Sequence, residues 1–163
     1  MGDSTMSTLY VDNLQPNLGS RVMAAGHVVQ VQTKKWANVG FSTTSATLVD
    51  LTDFYIDITP TSSNSIIVFQ SSIISANTTT GGYARFAIND SNTGTQWNSN
   101  LYIAAAGYNG AQWTETPLFH ANTAGTTNTM RLQLRVQIGG GGTVDCNWSG
   151  GDDKTITAWE IAQ

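Results

Sequence analysis

Between residues 130 and 138 apolar and polar side chains alternate without a break. Met130, Leu132, Leu134, Val136 and Ile138 take one parity, and Arg131, Gln133, Arg135 and Gln137 the other. Successive side chains on an extended backbone project to opposite faces, so this period of two predicts a strand with one buried face and one wet or interfacial face. The same logic predicts strands over 54–59, where Phe54, Ile56 and Ile58 oppose Tyr55 and Asp57, and around Ala84, Phe86 and Ile88. Residues 66–74 are nearly continuously apolar, the pattern of a strand covered on both sides. Further strands are predicted over 26–32 (GHVVQVQ), 47–51, 97–105, 118–121, 144–148 and 155–161. The intervening segments, TPTSSNS at 59–65, TTTGG at 78–82, the four glycines at 139–142 and SGGDD at 149–153, have turn chemistry. About eight or nine strands spaced at roughly 8–20 residues predict one all-β domain, an antiparallel sandwich, jelly roll or barrel. No helical period follows Gly26, and no internal repeat points to a propeller or β-helix.

Residues 1–26 read differently. Leu14, Leu18 and Val22 stand four apart, interrupted by Pro16 and Gly19, which suits one or two helical turns with a single apolar stripe. Leu9, Val11 and Leu14 suit an extended docked segment equally well. In either form the segment holds more apolar groups than a free tail needs. It is expected to be an anchoring arm that packs on sister subunits, on a larger assembly or back on its own domain, followed by a β knob over 27–163.

Composition narrows the function classes. Only 11% of residues are charged, against about 25% in ordinary soluble domains. Neutral groups must therefore supply the polar surface. Thr alone occurs 23 times, and its β-branched side chain suits an exposed strand face rather than a helix. The seven basic residues are scattered in a chain of net charge −4, so no basic stripe exists to neutralise phosphates or to seat on a membrane surface. The apolar runs are too short to span a bilayer, and residues 1–25 lack the pattern of a secretory signal. Nucleic-acid binding and membrane insertion are thus disfavoured. Cys146 is the single cysteine, which excludes an internal disulfide. It shares a parity with Val144 and Trp148 and is expected to be a buried, inert thiol.

Candidate chemistry is sparse. His27 and His120, with Asp50, Asp53 and Asp57, allow a triad to be imagined, but no nucleophile-elbow motif supports one, so no catalytic residue is expected. HxH, HxxxH and CxxC spacings are absent, Asp152-Asp153 suits a solvated turn, and Gly139–Gly142 is not followed by the Gly-Lys-Ser/Thr of a phosphate loop. No metal or cofactor is expected. Trp97, Tyr102, Tyr108 and Trp113 fall near Asn98, Asn100 and Asn109, a combination that suits stacking and hydrogen bonding to a glycan, although core packing and subunit contact explain aromatics more often. Trp148 and Trp159 read as core. Arg131, Gln133, Arg135 and Gln137 form either free surface or a subunit interface in which the arginines meet acids such as Asp57 or Glu160.

Three segments resemble a known family. GHVVQVQ at 26–32, FSTTSATLVDLTDFYIDITPTSSNSIIVFQ at 41–70 and TITAWEIAQ at 155–163 look like the C-terminal knobs of bacteriophage tail-fibre-type proteins, particularly those of cyanophages and other marine phages. The leader LYVDNLQPNLGSRV at 9–22 is similar to the segment preceding such knobs. Many relatives carry Ser-Lys after the ITP turn where this chain has Asn64-Ser65. The resemblance implies a homotrimeric, jelly-roll-like β-sandwich on the virion surface, assembled in the bacterial cytoplasm and held by its arm. It implies a role either as a capsid cement or decoration protein or as a tail-fibre knob contacting host surface glycan. With no long shaft in the sequence, the expectation falls on the capsid role.

Overall fold

The computed structural model describes residues 25–36, 40–97, 102–104, 113–146 and 154–163, with backbone alone for 102–104. These residues form eleven strands: β1 (Val28–Trp36), β2 (Phe41–Thr43), β3 (Val49–Ile58), β4 (Ile66–Asn77), β5 (Tyr83–Asp90), β6 (Thr95–Gln96), β7 (Tyr102–Ala104), β8 (Thr114–Thr123), β9 (Met130–Gly139), β10 (Val144–Cys146) and β11 (Lys154–Ile161). The pairing is nested. β5 pairs β7, β4 pairs β8, β3 pairs β9 and β1 pairs β11, every pair antiparallel. Two further pairings, β4 with β11 and β5 with β9, join the nested pairs into sheets. The first sheet runs β1-β11-β4-β8 and the second β3-β9-β5-β7, with β10 and β2 extending the first and β6 the second. A long hairpin wound on itself into two face-to-face antiparallel sheets is a jelly roll, as the strand pattern and the resemblance both led one to expect.

The inward parities of both sheets meet in one core. Met130, Leu132, Leu134, Val136 and Ile138 are all buried there with Phe54, Ile56, Ile58, Phe69, Phe86 and Ile88. Trp36 closes one edge, its ring edge-on to Phe54 at 4.5 Å. At the end of β9 a Cβ on Gly139 would fall 2.2 Å from the ring of its cross-strand partner Tyr83, so any larger residue displaces that ring.

Three elements differ from expectation. Of the segment 97–105 the described residues are Trp97, which lies after β6 and outside any strand, and 102–104, which form β7. β8 extends well past 118–121 on its N-terminal side. The third difference has a clear physical cause. Residues 47–51 and 54–59 read as separate strands, but they belong to a single β3 whose register against β9 shifts between Asp50 and Tyr55. At this bulge Asp53 takes a φ of 60°, in the left-handed region. The carbonyls that the bulge turns off the ladder are met by Gln133, whose Nε2 donates to Leu51 O (2.5 Å) and Phe54 O (3.1 Å). Gln133 is only 7% exposed, although its parity on β9 put it with the wet residues. Replacing Gln133 with Ala removes the donor and leaves buried carbonyls unpaired, which costs about 1–3 kcal/mol. Urea unfolding of Q133A measures this as a lower midpoint at unchanged slope; an unaltered midpoint refutes the role.

Candidate interaction face

The two outer faces of the sandwich have opposite character. On the second sheet, Arg131 makes a two-pronged pair with Asp57, Nε to Oδ1 at 2.8 Å and NH2 to Oδ2 at 3.0 Å. The Arg131 guanidinium also lies 4.1 Å from the Tyr55 ring centre, and Lys34 Nζ lies 3.3 Å from it while donating to Asp53 O. Arg135 Nε sits 2.9 Å from Asp50 Oδ1, and its NH2 donates to Leu48 O. Thus the acid that meets Arg131 is Asp57, not Glu160, and both arginines pair with β3 of their own chain. Gln137 is half-buried opposite Arg85. Ion pairs this exposed contribute little stability. Their effect is to leave Arg131 and Arg135 already matched on this face.

The first sheet presents the apolar face. Its register aligns Val31, Trp159, Val68 and Ala121 in one row across four strands. The neighbouring rows hold Val28, Ile161, Ile66 and Thr123 on one side, and Thr33, Thr157, Gln70 and Phe119 on the other. Val28 is 55%, Val31 49% and Phe119 60% exposed; Trp113, just before β8, is also exposed. An open depression of about 510 Å³ lies on this face, lined by Gln70, Ser72, Pro117, Thr155, Thr157 and Trp159. It falls where, among the described residues, the pairing of β11 with β4 stops at Gln70 and that of β10 begins at Ser75. Charge on these four strands' outer parity is confined to one end, at Lys35 and at Glu115, whose pKa is held low by the Ser72 hydroxyl (2.6 Å) and by Lys154 Nζ (2.9 Å).

Trp159 is therefore not core, contrary to the expectation for it. The period of two on β11 turns Ile156, Ala158 and Glu160 inward and Thr155, Thr157, Trp159 and Ile161 outward. The misleading signal was a carboxylate at an inward position. Glu160 is fully buried, and its oxygens are satisfied: Gln30 Nε2 donates to Oε2 at 2.7 Å, and Thr61 N and Oγ1 donate to Oε1 at 2.8 and 2.7 Å. Likewise β4 is covered on its inner side, at Ile67, Phe69 and Ile73, but not fully on its outer side, where Ile66 and Ile74 stay half-open.

Of the glycan candidates, Trp97 is withdrawn from any stacking role, being 7% exposed and packed with its ring 6.4 Å from that of His120. Trp113 is exposed. Tyr108 and the side chain of Tyr102 lie outside the described residues, as do Asn98, Asn100, Asn109, Trp148, Asp152-Asp153 and the arm residues Leu9, Val11, Leu14, Leu18 and Val22. Cys146 is buried, and burial, with a smaller push from Asp145, raises its pKa far above that of a reactive thiol. Among the described residues no group of three or more His, Cys, Asp or Glu side chains is placed to hold a metal ion.

No family model matches the chain, and no curated protein matches it. Solved structures do. The VP2 subviral particle of infectious bursal disease virus is similar at 14% identity and a TM-score of 0.50, over 94% of this chain and 42% of that one. The T13 viral particle of the same virus gives 15% identity and a TM-score of 0.48 over 94% and 40%. The chain thus spans about two fifths of the length of these proteins. At such identity the likeness is one of fold.

The Glu160 geometry has a pH consequence. Burial alone would raise its pKa, but the hydrogen bonds from Gln30 and Thr61 outweigh burial and leave it lowered. A carboxylate with a folded pKa below its unfolded value, about 4.3, stabilises the fold above that value and loses the contribution as pH falls through the folded pKa. Denaturation midpoints of the wild type should therefore drop through this acid window, and those of Glu160→Gln should start lower at neutral pH and fall less steeply. Parallel acid profiles for the two proteins refute the assignment.

Proposed function

We propose that the chain is a non-enzymatic structural protein of a virion: a jelly-roll knob on the capsid surface that acts as a cement or decoration protein, forms homotrimers and is anchored to the shell by residues 1–26. The observation that carries this reading is the asymmetry of the sandwich. One sheet has an outer face of internally paired charges. The other has an outer face of Val, Ile, Trp and Phe that needs a protein neighbour. The fold likeness to viral particle proteins supports it, as does the placement of the phage-like segments. GHVVQVQ overlaps β1, the ITP turn joins β3 to β4 and TITAWEI lies in β11, so the shared pattern builds the adjacent strands β1, β11 and β4.

In this reading many copies stabilise the shell by mass action, each adding binding free energy to the assembled state. A chain lacking residues 1–26 should stay folded and lose binding to purified particles in a co-sedimentation assay. Retained binding at wild-type affinity would sink the anchor. A second reading, a tail-fibre knob that contacts host surface glycan with avidity from several copies, is favoured by the exposed aromatics Trp113 and Phe119 on and beside β8. It expects soluble knob to block phage adsorption to host cells and Trp113→Ala to lose that competition. Undiminished adsorption at saturating knob excludes it.

A further inference from the structure

We infer that the outer face of the β1-β11-β4-β8 sheet is the surface through which copies of this chain associate, and that its occupant is a second copy of the same face or its margin. The inference gives the homotrimer part of the proposed function its contact surface, rests on three features of that face, and holds whether or not the shell-binding part does.

The first feature is extent. Four strands about 4.8 Å apart and about eight residues long, at about 3.4 Å per residue, outline roughly 500 Å². Corrugated by side chains, such a face approaches the about 800 Å² that each partner contributes to a standard stable interface. The apolar groups are contiguous within it: Val31, Trp159 and Val68 are cross-strand neighbours, and Ile161 and Ile66 pair in the adjoining row. A flat sheet face of this kind packs best against another sheet, at about 10 Å separation.

The second feature is chemical self-complementarity. The polar groups among the apolar ones are Thr33, Thr157, Gln70 and Ser72. Hydroxyls and amides both donate and accept, so such groups can pair with their own counterparts on an identical surface. A charged face turned on its own copy meets like charge, at a cost of several kcal/mol. The opposite sheet is of that kind, with Arg131, Arg135, Asp50 and Asp57 on it, and these four are paired with one another within the chain.

The third feature is the sequence's own choice of residues for β4. Ile66 and Ile74, both half-exposed, flank the buried Val68 and the exposed Gln70 on its outer parity, where a strand facing water would carry Thr, Lys or Gln throughout. The chain uses Thr freely elsewhere. Keeping β-branched hydrocarbon at these positions makes sense where a second layer covers them.

The test uses the full chain and its mass in solution, by light scattering on a sizing column over a range of concentrations. The wild type should elute above the single-chain mass. Val31 and Phe119 are about half exposed, so changing them leaves the core alone. The double variant V31D/F119D should dissociate to the single-chain mass, weakening self-association by at least about 100-fold, with circular dichroism and thermal midpoint retained. The uncharged variant V31T/F119T, which keeps strand-forming chemistry at Val31, should show a smaller loss in the same direction. The opposite-sheet variant D57N/R131Q should keep the wild-type mass. A wild-type chain at single-chain mass up to about 100 μM overturns the inference, since standard interfaces are much tighter. So does undiminished association of V31D/F119D. A monomeric wild type that associates only after residues 1–24 are deleted also overturns it, and assigns the face to the arm. Particle binding is not measured, so this result and that of the anchor test stand apart.

Discussion

β4 is the strand on which the rest of the structure depends. It pairs with β8 along ten residues on one edge and with β11 and then β10 on the other. Pairing on both edges satisfies most of its backbone, and its remaining obligations are chiefly its two faces. The inner face is met by the second sheet through Ile67, Phe69 and Ile73, all fully buried. The outer face is only partly met among the described residues of the same chain: Val68 is buried, while Ile66 and Ile74 stay half-open and Gln70 is exposed. That imbalance orders everything else. It makes the first sheet the one that needs a neighbour. It leaves the second sheet free to carry the ion pairs, and it locates the open depression on the side where β10 and β11 part.

How much of this was legible in the sequence depends on which rule governed each segment. β9 was readable because its period of two is unbroken and the core takes every second residue. The nested topology was not readable from periodicity, since pairing partners lie up to 133 residues apart, as Val28 does from Ile161, and alternation says nothing about who pairs with whom. Fold class came from strand number and spacing, and the jelly-roll form from resemblance. β3 was split in two because the bulge at Asp53 breaks the alternation; the compensating residue, Gln133, sits on another strand and looked like surface. Trp159 was misplaced because its alternation with polar neighbours, Glu160 above all, made its parity on β11 look like the inward one. The signal that could have corrected it was present: Ile156 and Ala158 share a parity that continues to Glu160, so one of the two residues, Trp159 or Glu160, had to break a compositional rule.

Glu160 shows why breaking that rule is tolerated. A buried carboxylate is costly unless its lone pairs are met, and here the donors come from β1 (Gln30) and from the turn between β3 and β4 (Thr61). One side chain thereby ties the last strand to the first and to the crossover between sheets. The backbone repeats the tie: Gly26 N donates to Ala162 O and Ala162 N to His27 O, at 2.8 and 2.9 Å. The segment that enters β1 is thus pinned by the end of the C-terminal strand.

The low charge content now has a structural meaning. A sheet face rich in Thr, Ser and Gln is wettable as a monomer and can still be buried without leaving ions behind, since neutral hydrogen-bonding groups cost far less to desolvate than unpaired charges. On the second sheet Arg131 and Arg135 are matched by Asp57 and Asp50, and Arg85 rests on Tyr83. Neither outer face therefore carries an unmatched charged patch that would favour one charged partner over another. Recognition through such surfaces relies on shape and on register between strands. That suits contact with identical or repeating protein neighbours, whose geometry is fixed, more than selection among varied ligands.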